Sequence, residues 1–461
     1  MNSQESKPKQ ENNNGSVESA VIDPAGSAAF QARFAIRDLQ AGIISGAMAI
    51  PLTVGIAMMS DYPIKVALAT VVFACFVGWV NAWIRPGNYI GAPGVAAGLA
   101  PVLALGVSNF GMENMAFVIF LTATLQAVIW KFNLQKYILI AVPSYLVEGL
   151  LAGVGLKIAI NFFAMTYEIT PSLETDTFLN AARIQMMLIS LAGFGLFLYL
   201  FVRFQNTQPA IPYFVLIIIG IILAHFTSVP MLHVDDDPLT LALPLPKFDS
   251  AIIWFYVIGF ALMLAVIDVI EQVMSNAAIE KIDPLKRQCN TNNSLLAIWV
   301  ANMGASFFNG MTNLDGIAKS TTNKLAGAYT KFSVLTIGCF ILFFVLNTEY
   351  LEYMPKFSLA VVMIFTGWKM IAGLFHVALH GRYELMLATI CALLVYRLGI
   401  FEGLLLAMAL HGLINYVVLN KTHEIQSREI IKKYLERFSG KGAAFVDGCS
   451  HGRAVSSRHC P

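Results

Sequence analysis

Long apolar runs recur along most of this 461-residue chain, and they limit its fold more than any other feature. A hydrocarbon layer of roughly 30 Å needs about 20 apolar residues per helix, and runs of that length recur from Ala41 to about Leu419. Hydrophobic residues make up 57% of the sequence and charged residues only 13%. The chain is therefore predicted to be an all-α polytopic membrane protein, with no soluble catalytic domain of ordinary size outside the apolar stretch.

The apolar runs predict about fourteen membrane segments, of which the third and the tenth are short. Basic residues concentrate in alternate connections, among them those with Arg287 and Lys331, and acidic residues in the others. The positive-inside rule then predicts a multi-pass protein of the inner or plasma membrane with both termini in the cytoplasm. The predicted segments are 41–60, 64–83, 93–108, 115–131, 140–163, 184–204, 210–226, 251–276, 295–308, 316–326, 332–347, 355–375, 383–397 and 400–419.

A polar stretch in the middle of the chain divides these segments into two blocks of about seven. An odd number of crossings makes the second block run upside down relative to the first, as in the inverted repeats of secondary transporters. The predicted regions are a disordered cytoplasmic tail at 1–33, a first repeat at 34–227, an extracytoplasmic linker at 228–250, a second repeat at 251–420 and a short cytoplasmic tail at 421–461.

Neither tail predicts a cofactor. The last residues contain Cys449, His451, His459 and Cys460, but their spacing matches no standard zinc pattern. Basic and aromatic residues do not alternate along any stripe that would favour nucleic-acid binding. No cofactor is expected, with Na⁺ a possible co-substrate.

Two motifs interrupt the helical pattern at membrane depth, NYIGAPGVAAGLA at 88–100 and FFNGMTNLDGIAKSTTNK at 307–324. Backbone that leaves a helix there must be buried in protein or line a cavity, because lipid cannot satisfy its polar groups. Asn88–Ala92 and Gly310–Leu314 are predicted to be short strands before the third and tenth half-helices. Pro93 suits the first turn of one half-helix, and Asp315 suits the N-cap of the other.

Half-helices that begin at the midplane would direct free N–H groups and positive dipole ends at one volume, which favours an anion. Each helix end contributes about 0.3–2 kcal/mol, so binding stays weak enough for release. A lysine at this depth costs about 2.5–3.5 kcal/mol on insertion scales, which favours a function for Lys319. The alternatives are a glycine-rich packing contact at the first motif and a snorkelling Lys319. The predicted substrate-binding residues here are Ala92, Pro93, Gly94, Val95, Ala318, Lys319 and Ser320.

The eighth predicted segment carries two acids within apolar sequence. Asp268, Glu271 and Ser275 have the spacing i, i+3 and i+7 and so share one helical face. A carboxylate at that depth must be protonated, paired or bound to a cation. The three residues are predicted to couple transport to a proton or Na⁺, with Glu271 and Ser275 as the sodium ligands. The alternative is a structural ion pair between one of these acids and Lys319.

Four motifs in the same order make the chain similar to the SulP family of anion transporters over about residues 34–420. Residues 32–60, ARFAIRDLQAGIISGAMAIPLTVGIAMMS, resemble the first segment of the family, and GAPGVAAG resembles the Gly-Pro-(Thr/Ser)-Ala motif of its third segment. VIEQVMSNA resembles Ile-Glu-Ser-Leu-Leu-Thr-Ala, which aligns Glu271 with the coupling acid of the family. NGMTNLDGIAKSTTNKLAGAYTK resembles the family's tenth segment, with Lys319 where many members have arginine.

This resemblance implies two inverted seven-helix repeats arranged as a core and a gate domain, a substrate between the third and tenth helices, and a homodimer. Three departures stand out. Leu52 replaces a frequent glutamine, leaving Thr53 as the nearest polar substitute and a further predicted substrate contact. Gly94 replaces a hydroxyl residue. The cytoplasmic STAS domain of the family is expected to be missing.

The expected function is secondary active transport of a small inorganic or carboxylate anion, coupled to Na⁺ or H⁺ symport by an elevator-like movement of core against gate. Bicarbonate and sulfate are the favoured substrates, and chloride, nitrate and small dicarboxylates remain open. A uracil- or xanthine-type permease of the same fold is one alternative, although Lys319 argues against it. An uncoupled anion channel or exchanger is another. An enzyme is not expected, since the sequence shows no nucleophile-base pair or cofactor loop.

Overall fold

The computed structural model describes residues 27–414, apart from 96, 142, 170–180, 228, 235–237, 249–250 and 380. This part of the chain forms sixteen α-helices and two short strands, β1 (Pro93–Val95) and β2 (Asn313–Asp315). The predicted tail at 421–461 and most of the tail at 1–33 lie outside the described residues. The helices are α1 (Ala35–Met59), α2 (Ile64–Ile84), α3 (Ala100–Phe110), α4 (Met112–Lys131), α5 (Gln135–Ala141), α6 (Ser144–Phe163), α7 (Ala181–Phe204), α8 (Ile211–Phe226), α9 (Ala251–Ile282), α10 (Thr291–Ser306), α11 (Ile317–Leu325), α12 (Phe332–Leu346), α13 (Lys356–Ile371), α14 (Gly373–Ala378), α15 (Arg382–Leu398) and α16 (Ile400–Leu413).

The helices confirm the prediction of an all-α polytopic membrane protein. Seven spans in the described ranges are long and apolar enough to cross a membrane, one of them formed by α13 and α14 together, and four more helices are apolar but shorter. The predicted fifth segment is divided into α5 and α6, because Pro143 precedes α6 and cannot continue a helix from α5. The predicted twelfth segment is likewise divided, at Ala372, into α13 and α14. The predicted eighth segment continues to Ile282 as part of α9.

The two strands pair with each other at the predicted breaks. They run antiparallel, with Gly94 opposite Leu314 at the centre of the register. Each strand precedes a short helix, and each of these helices, α3 and α11, is the third helix of its half of the chain. Antiparallel pairing of equivalent strands is the arrangement that two inverted repeats produce.

The predicted bounds of the strands were wrong. Asn88–Ala92 forms no strand, because the Asn88 side chain accepts a hydrogen bond from Gly91 N at 3.0 Å and closes a local turn. The second strand begins at Asn313 rather than Gly310, since Gly310 N still donates to Ala305 O at the end of α10, at 2.8 Å.

Two predictions about the half-helix starts were also wrong. Pro93 lies in β1, and a 3₁₀ turn at Ala97–Leu99 leads into α3. The N-cap of α11 is Gly316, which makes no side-chain capping bond. Asp315 is the last residue of β2, and its carboxylate is directed to other side chains because the strand ends with that residue pointing into the protein core.

The helices pack in two groups. One contains α1–α4 and α9–α12, in which α12 packs on α1 and α2 while α10 packs on α2 and α4. The other contains α6–α8 and α13–α16, with α6 packed between α13 and α15. The strands lie in the first group, where α1, α2 and α9 surround them, and α3 and the 3₁₀ turn before it contact α6 in the second group. The paired breaks are therefore placed beside the boundary between the groups.

Candidate functional site

Lys319 lies in the first turn of α11 and is 3% exposed. Its Nζ is fully buried and has no hydrogen-bond partner among the described residues. Buried polar groups in proteins are nearly always hydrogen-bonded, and a buried charge needs a counter-charge. Lys319 forms no ion pair with Asp268 or Glu271 among the described residues, so the alternative of a structural pair is wrong there. The lysine therefore offers an unused ammonium to an anion.

The ammonium of Lys319 lies against the backbone of β1. A Cβ atom at Gly94 would overlap Nζ, whereas a Cβ at Gly316 would lie 3.7 Å from the lysine Cδ. Only glycine leaves the space at position 94 that the ammonium occupies. A hydroxyl side chain at position 94 would therefore clash with the Lys319 ammonium in its present position.

Ala92 and Ser320 join β1 to α11. The Ser320 hydroxyl accepts a hydrogen bond from Ala92 N at 3.0 Å and donates to Gly316 O at 2.7 Å. Gly316 N donates to Ala92 O at 3.0 Å. These bonds bring together the two predicted halves of the anion site, but they also occupy the polar groups of both residues. Their contribution to the site is therefore mainly to hold its two sides together.

The remaining predicted substrate contacts belong to β1, to α11 and to α1, which packs on both. Thr53 in α1 is fully buried, and its Oγ1 has no hydrogen-bond partner among the described residues. Val95 is buried in β1 opposite Asn313, which leaves it an apolar wall residue. Ala318 is exposed in the first turn of α11, beside the exposed Ile317. The start of α11 is thus open on one side and buried on the side of Lys319.

Glu271 on α9 faces the start of the other half-helix. A Cβ atom at Gly98 would overlap Glu271 Oε1, so this oxygen lies against the 3₁₀ turn that precedes α3. The same oxygen is buried without a hydrogen-bond partner in the described part of the chain. Ser275 lies one turn further along α9 and is also buried. A proton or a monovalent cation at Oε1 would satisfy this carboxylate.

Asp268 has a different environment although it is only one turn from Glu271. Its Oδ2 accepts hydrogen bonds from Gln126 Nε2 at 2.6 Å and Asn302 Nδ2 at 3.1 Å, and the residue is fully buried. The side-chain oxygen of Asn302, Oδ1, in turn accepts a hydrogen bond from Asn313 N at 2.8 Å. Asp268 therefore links α4, α9, α10 and β2. Sequence reasoning missed Gln126 and Asn302, although an isolated amide side chain within an apolar run is a signal that could have indicated them.

A buried ion pair lies behind the strands. Lys331 Nζ is 3.8 Å from Asp315 Oδ1 and donates to Gly91 O at 2.6 Å. Asp315 Oδ2 accepts from Asn88 Nδ2 at 2.7 Å and from Gln272 Nε2 at 3.0 Å. Lys331 was expected only as a charge in a cytoplasmic connection, but it is buried because its long side chain reaches inward from that connection to the strands. The charge of this second lysine is compensated by Asp315.

Arg287 contacts the segment before β1 and the segment after α11, near the start of α1. Its guanidinium lies 3.9 Å from the ring of Tyr89, before β1, and donates to Tyr329 O, after α11, at 2.7 Å. Asp283 pairs with it at 2.8 Å. Asp38 at the start of α1 accepts from Tyr329 N at 2.7 Å. These contacts fix the positions of the segment that precedes β1 and the segment that follows α11.

The overlap at Gly94 leads to a prediction. Gly94→Ala should fold, because the displaced atom is the end of a flexible side chain, but it should move the Lys319 ammonium away from β1. Losing part of a charged hydrogen bond of about 1.5–3 kcal/mol should weaken anion binding by roughly 5- to 30-fold. The concentration dependence of anion uptake into proteoliposomes measures this change. Gly259→Ala is the matched control, since nothing lies within 4 Å of a Cβ at that exposed position.

A double-mutant comparison makes this prediction specific. In a Lys319→Ala background the Gly94→Ala substitution should have no further effect on apparent affinity, because the ammonium it displaces is already absent. Additive losses in the double variant would show that Gly94 acts through something other than Lys319.

Comparison with known proteins shows which family the chain belongs to. Residues 36–391 match the profile of the sulfate permease family. The Bacillus subtilis (strain 168) protein YvdB, whose name assigns it provisionally to sulfate transport, is 25% identical in an alignment 407 residues long that covers 80% of this chain and 72% of YvdB. Its similarity extends across both predicted repeats.

Two solved structures have the same fold. The transmembrane domain of a cyanobacterial bicarbonate transporter, BicA, is 16% identical with a TM-score of 0.66, and the match covers 81% of this chain and 98% of that domain. The structure of SLC26A9 is 13% identical with a TM-score of 0.67, and the match covers 83% of this chain but 65% of SLC26A9. At such identities the likeness shows the fold alone. The profile match, however, extends over most of the sequence, and the chain therefore belongs to the sulfate permease family of anion transporters.

Proposed function

We propose that the protein is a secondary active transporter that carries a small oxyanion, bicarbonate or sulfate, in symport with Na⁺ or H⁺. The observation that carries this proposal is the buried ammonium of Lys319, which has no acceptor among the described residues and lies against β1. The names of BicA and YvdB, which mention bicarbonate and sulfate, favour these two anions as the first to test.

The anion site combines one full charge with weaker partial charges. Lys319 supplies the charge, and the N-terminal end of α11 adds free N–H groups beside it. The positively charged Lys319 side chain would attract either bicarbonate or sulfate. Because the ammonium lies against backbone, no carboxylate among the described residues competes with the anion for it.

Glu271 supports coupling to a cation. Its Oε1 is buried beside Gly98, close to the start of one half-helix, and it lacks a hydrogen-bond partner in the described part of the chain. A carboxylate in this position is stable when it holds a proton or a monovalent cation. Binding of either cation would neutralise the Glu271 carboxylate. The net positive potential at the anion site would then be higher. Cation and anion binding would thereby favour each other.

The packing supports an elevator-type movement. Hydrogen bonds between Ala92 and Gly316, and between Asn88 and Asp315, join the two breaks into one unit within the group α1–α4 and α9–α12. The site would therefore move intact with this group, the proposed core. The proposed gate, α6–α8 and α13–α16, has its own internal packing against which the core could slide.

A nucleobase permease of the same fold has less support. Such a site needs free acids to accept the N–H groups of the base, and Asp315 is already engaged by Asn88, Gln272 and Lys331. In the described part of the chain, Glu271 Oε1 and Asp268 Oδ1 are buried without a hydrogen-bond partner, but the other oxygen of Asp268 already accepts from two amides. The positive charge of Lys319 also disfavours a neutral base as ligand.

The test is uptake by purified protein in proteoliposomes. Labelled bicarbonate, sulfate and fumarate would each be offered with a sodium gradient, a proton gradient or no gradient. We expect accumulation of at least one inorganic anion above equilibrium under one of the two gradients, because a coupled carrier uses that gradient to concentrate its substrate. A continuous anion current that no cation gradient alters would identify a channel instead.

A further inference from the structure

The charges around the paired strands can be counted. Two buried lysines approach β1, and they differ in their partners. Lys331 has the Asp315 carboxylate at 3.8 Å, so this pair contributes no net charge. Lys319 has no acceptor among the described residues. One uncompensated positive charge therefore faces the anion site from this side.

Glu271 does not change this count once the coupling cation is bound. Glu271 with a proton is neutral, and Glu271 with Na⁺ is balanced, so the net charge of the loaded carboxyl is zero in both cases. Asp268 is bound by the neutral amides of Gln126 and Asn302. If Asp268 is protonated, it leaves the count at one positive charge. If it is ionised, it lowers the count to zero, which disfavours both classes of anion but disfavours a divalent anion more.

Resting on the proposed coupled transport, we infer that the site selects a singly charged oxyanion, such as bicarbonate or nitrate, over a divalent one such as sulfate. One negative charge balances Lys319. A second charge would be buried without a counter-ion, and the cost of an unpaired buried charge exceeds the contribution of helix ends. The helix ends attract both classes of anion, whereas the number of full charges distinguishes between them.

Uptake by the unmodified protein tests this selectivity directly. Bicarbonate, nitrate and sulfate, each isotopically labelled, would be compared at equal concentration under the driving gradient. We expect initial rates for at least one monovalent anion to exceed that for sulfate about tenfold or more, a factor that corresponds to a modest difference in binding free energy. Equal or faster sulfate uptake under a cation gradient would overturn the inference and leave coupled anion transport intact. Failure of every anion to respond to a gradient would overturn the proposed function itself.

A charge-changing variant tests the physical cause. Asp315→Asn leaves an oxygen for the bonds from Asn88 and Gln272 but removes the counter-charge of Lys331. The ratio of sulfate to bicarbonate uptake should rise about tenfold. Asp61→Asn, which removes the same charge from an exposed turn, should leave the ratio unchanged.

The double variant Asp315→Asn with Lys331→Met guards against a structural explanation. It removes both charges of the pair, so its net charge at the site equals that of the unmodified protein. Its selectivity should therefore return to favouring monovalent anions even if its total activity is low. A double variant that transports sulfate as well as the single variant does would show that packing, rather than charge, changed the selectivity.

Discussion

Replacing Lys319 with alanine is expected to weaken anion binding by roughly 10- to 150-fold. The estimate follows from the loss of a charged hydrogen bond of about 1.5–3 kcal/mol between the ammonium and the anion. Folding should survive, because removing an unpartnered buried charge relieves a cost rather than leaving another group unpaired. The concentration of anion that gives half-maximal uptake in proteoliposomes measures the effect.

Two further variants make the Lys319 result interpretable. Lys136→Ala removes a lysine from an exposed position in α5 and should not alter affinity. Lys319→Arg keeps the charge and should retain more affinity than alanine, although its larger head group must fit against Gly94. Unchanged affinity in Lys319→Ala would place the anion site elsewhere.

Replacing Glu271 with glutamine is expected to abolish cation-driven accumulation. The amide has the same shape but cannot bind a proton or balance a monovalent cation, so the accumulation ratio should fall to about one. Exchange of labelled for unlabelled anion without a gradient should continue, since Lys319 is unaltered. Measuring driven uptake and exchange on the same vesicles separates loss of coupling from loss of the protein.

Glu349→Gln, at an exposed position, is the matched control and should accumulate anion normally. Asp268→Asn provides a sharper comparison, because an asparagine oxygen can still accept the bonds from Gln126 and Asn302. It should reduce driven uptake less than Glu271→Gln does. If Glu271→Gln still concentrates the anion against a gradient, the coupling cation binds at another residue.

The local sequence was sufficient to locate the two breaks but not their geometry. Gly, Pro and Asn within lipid-length apolar runs indicate non-helical backbone wherever they occur. The strand bounds depend instead on partners that are distant in the sequence. Asn88 closes its own turn and also bonds to Asp315, 227 residues away, so the extended segment starts five residues later than the local pattern suggests.

For the acidic and basic residues too, the sequence predicted their positions but not their partners. A charge in an apolar segment is costly enough to be visible in sequence, which is why Lys319 and Glu271 could be selected as candidates. Whether each charge is free or paired could not be read there. Lys331 looked like a residue of a cytoplasmic connection, and Asp315 looked like a helix cap, yet the two lie 3.8 Å apart behind the strands.

The sequence by itself determined the helical membrane class, the two interruptions and the ionisable residues near them, because the lipid solvent imposes its requirements on each segment separately. The tertiary structure alone decided which lysine is compensated, which acid is held by amides and which glycine makes room for an ammonium. Those outcomes depend on distances between different segments, which are separated by 16 residues for Asp315 and Lys331 and by 225 for Gly94 and Lys319. A pattern within one segment contains no information about such distances.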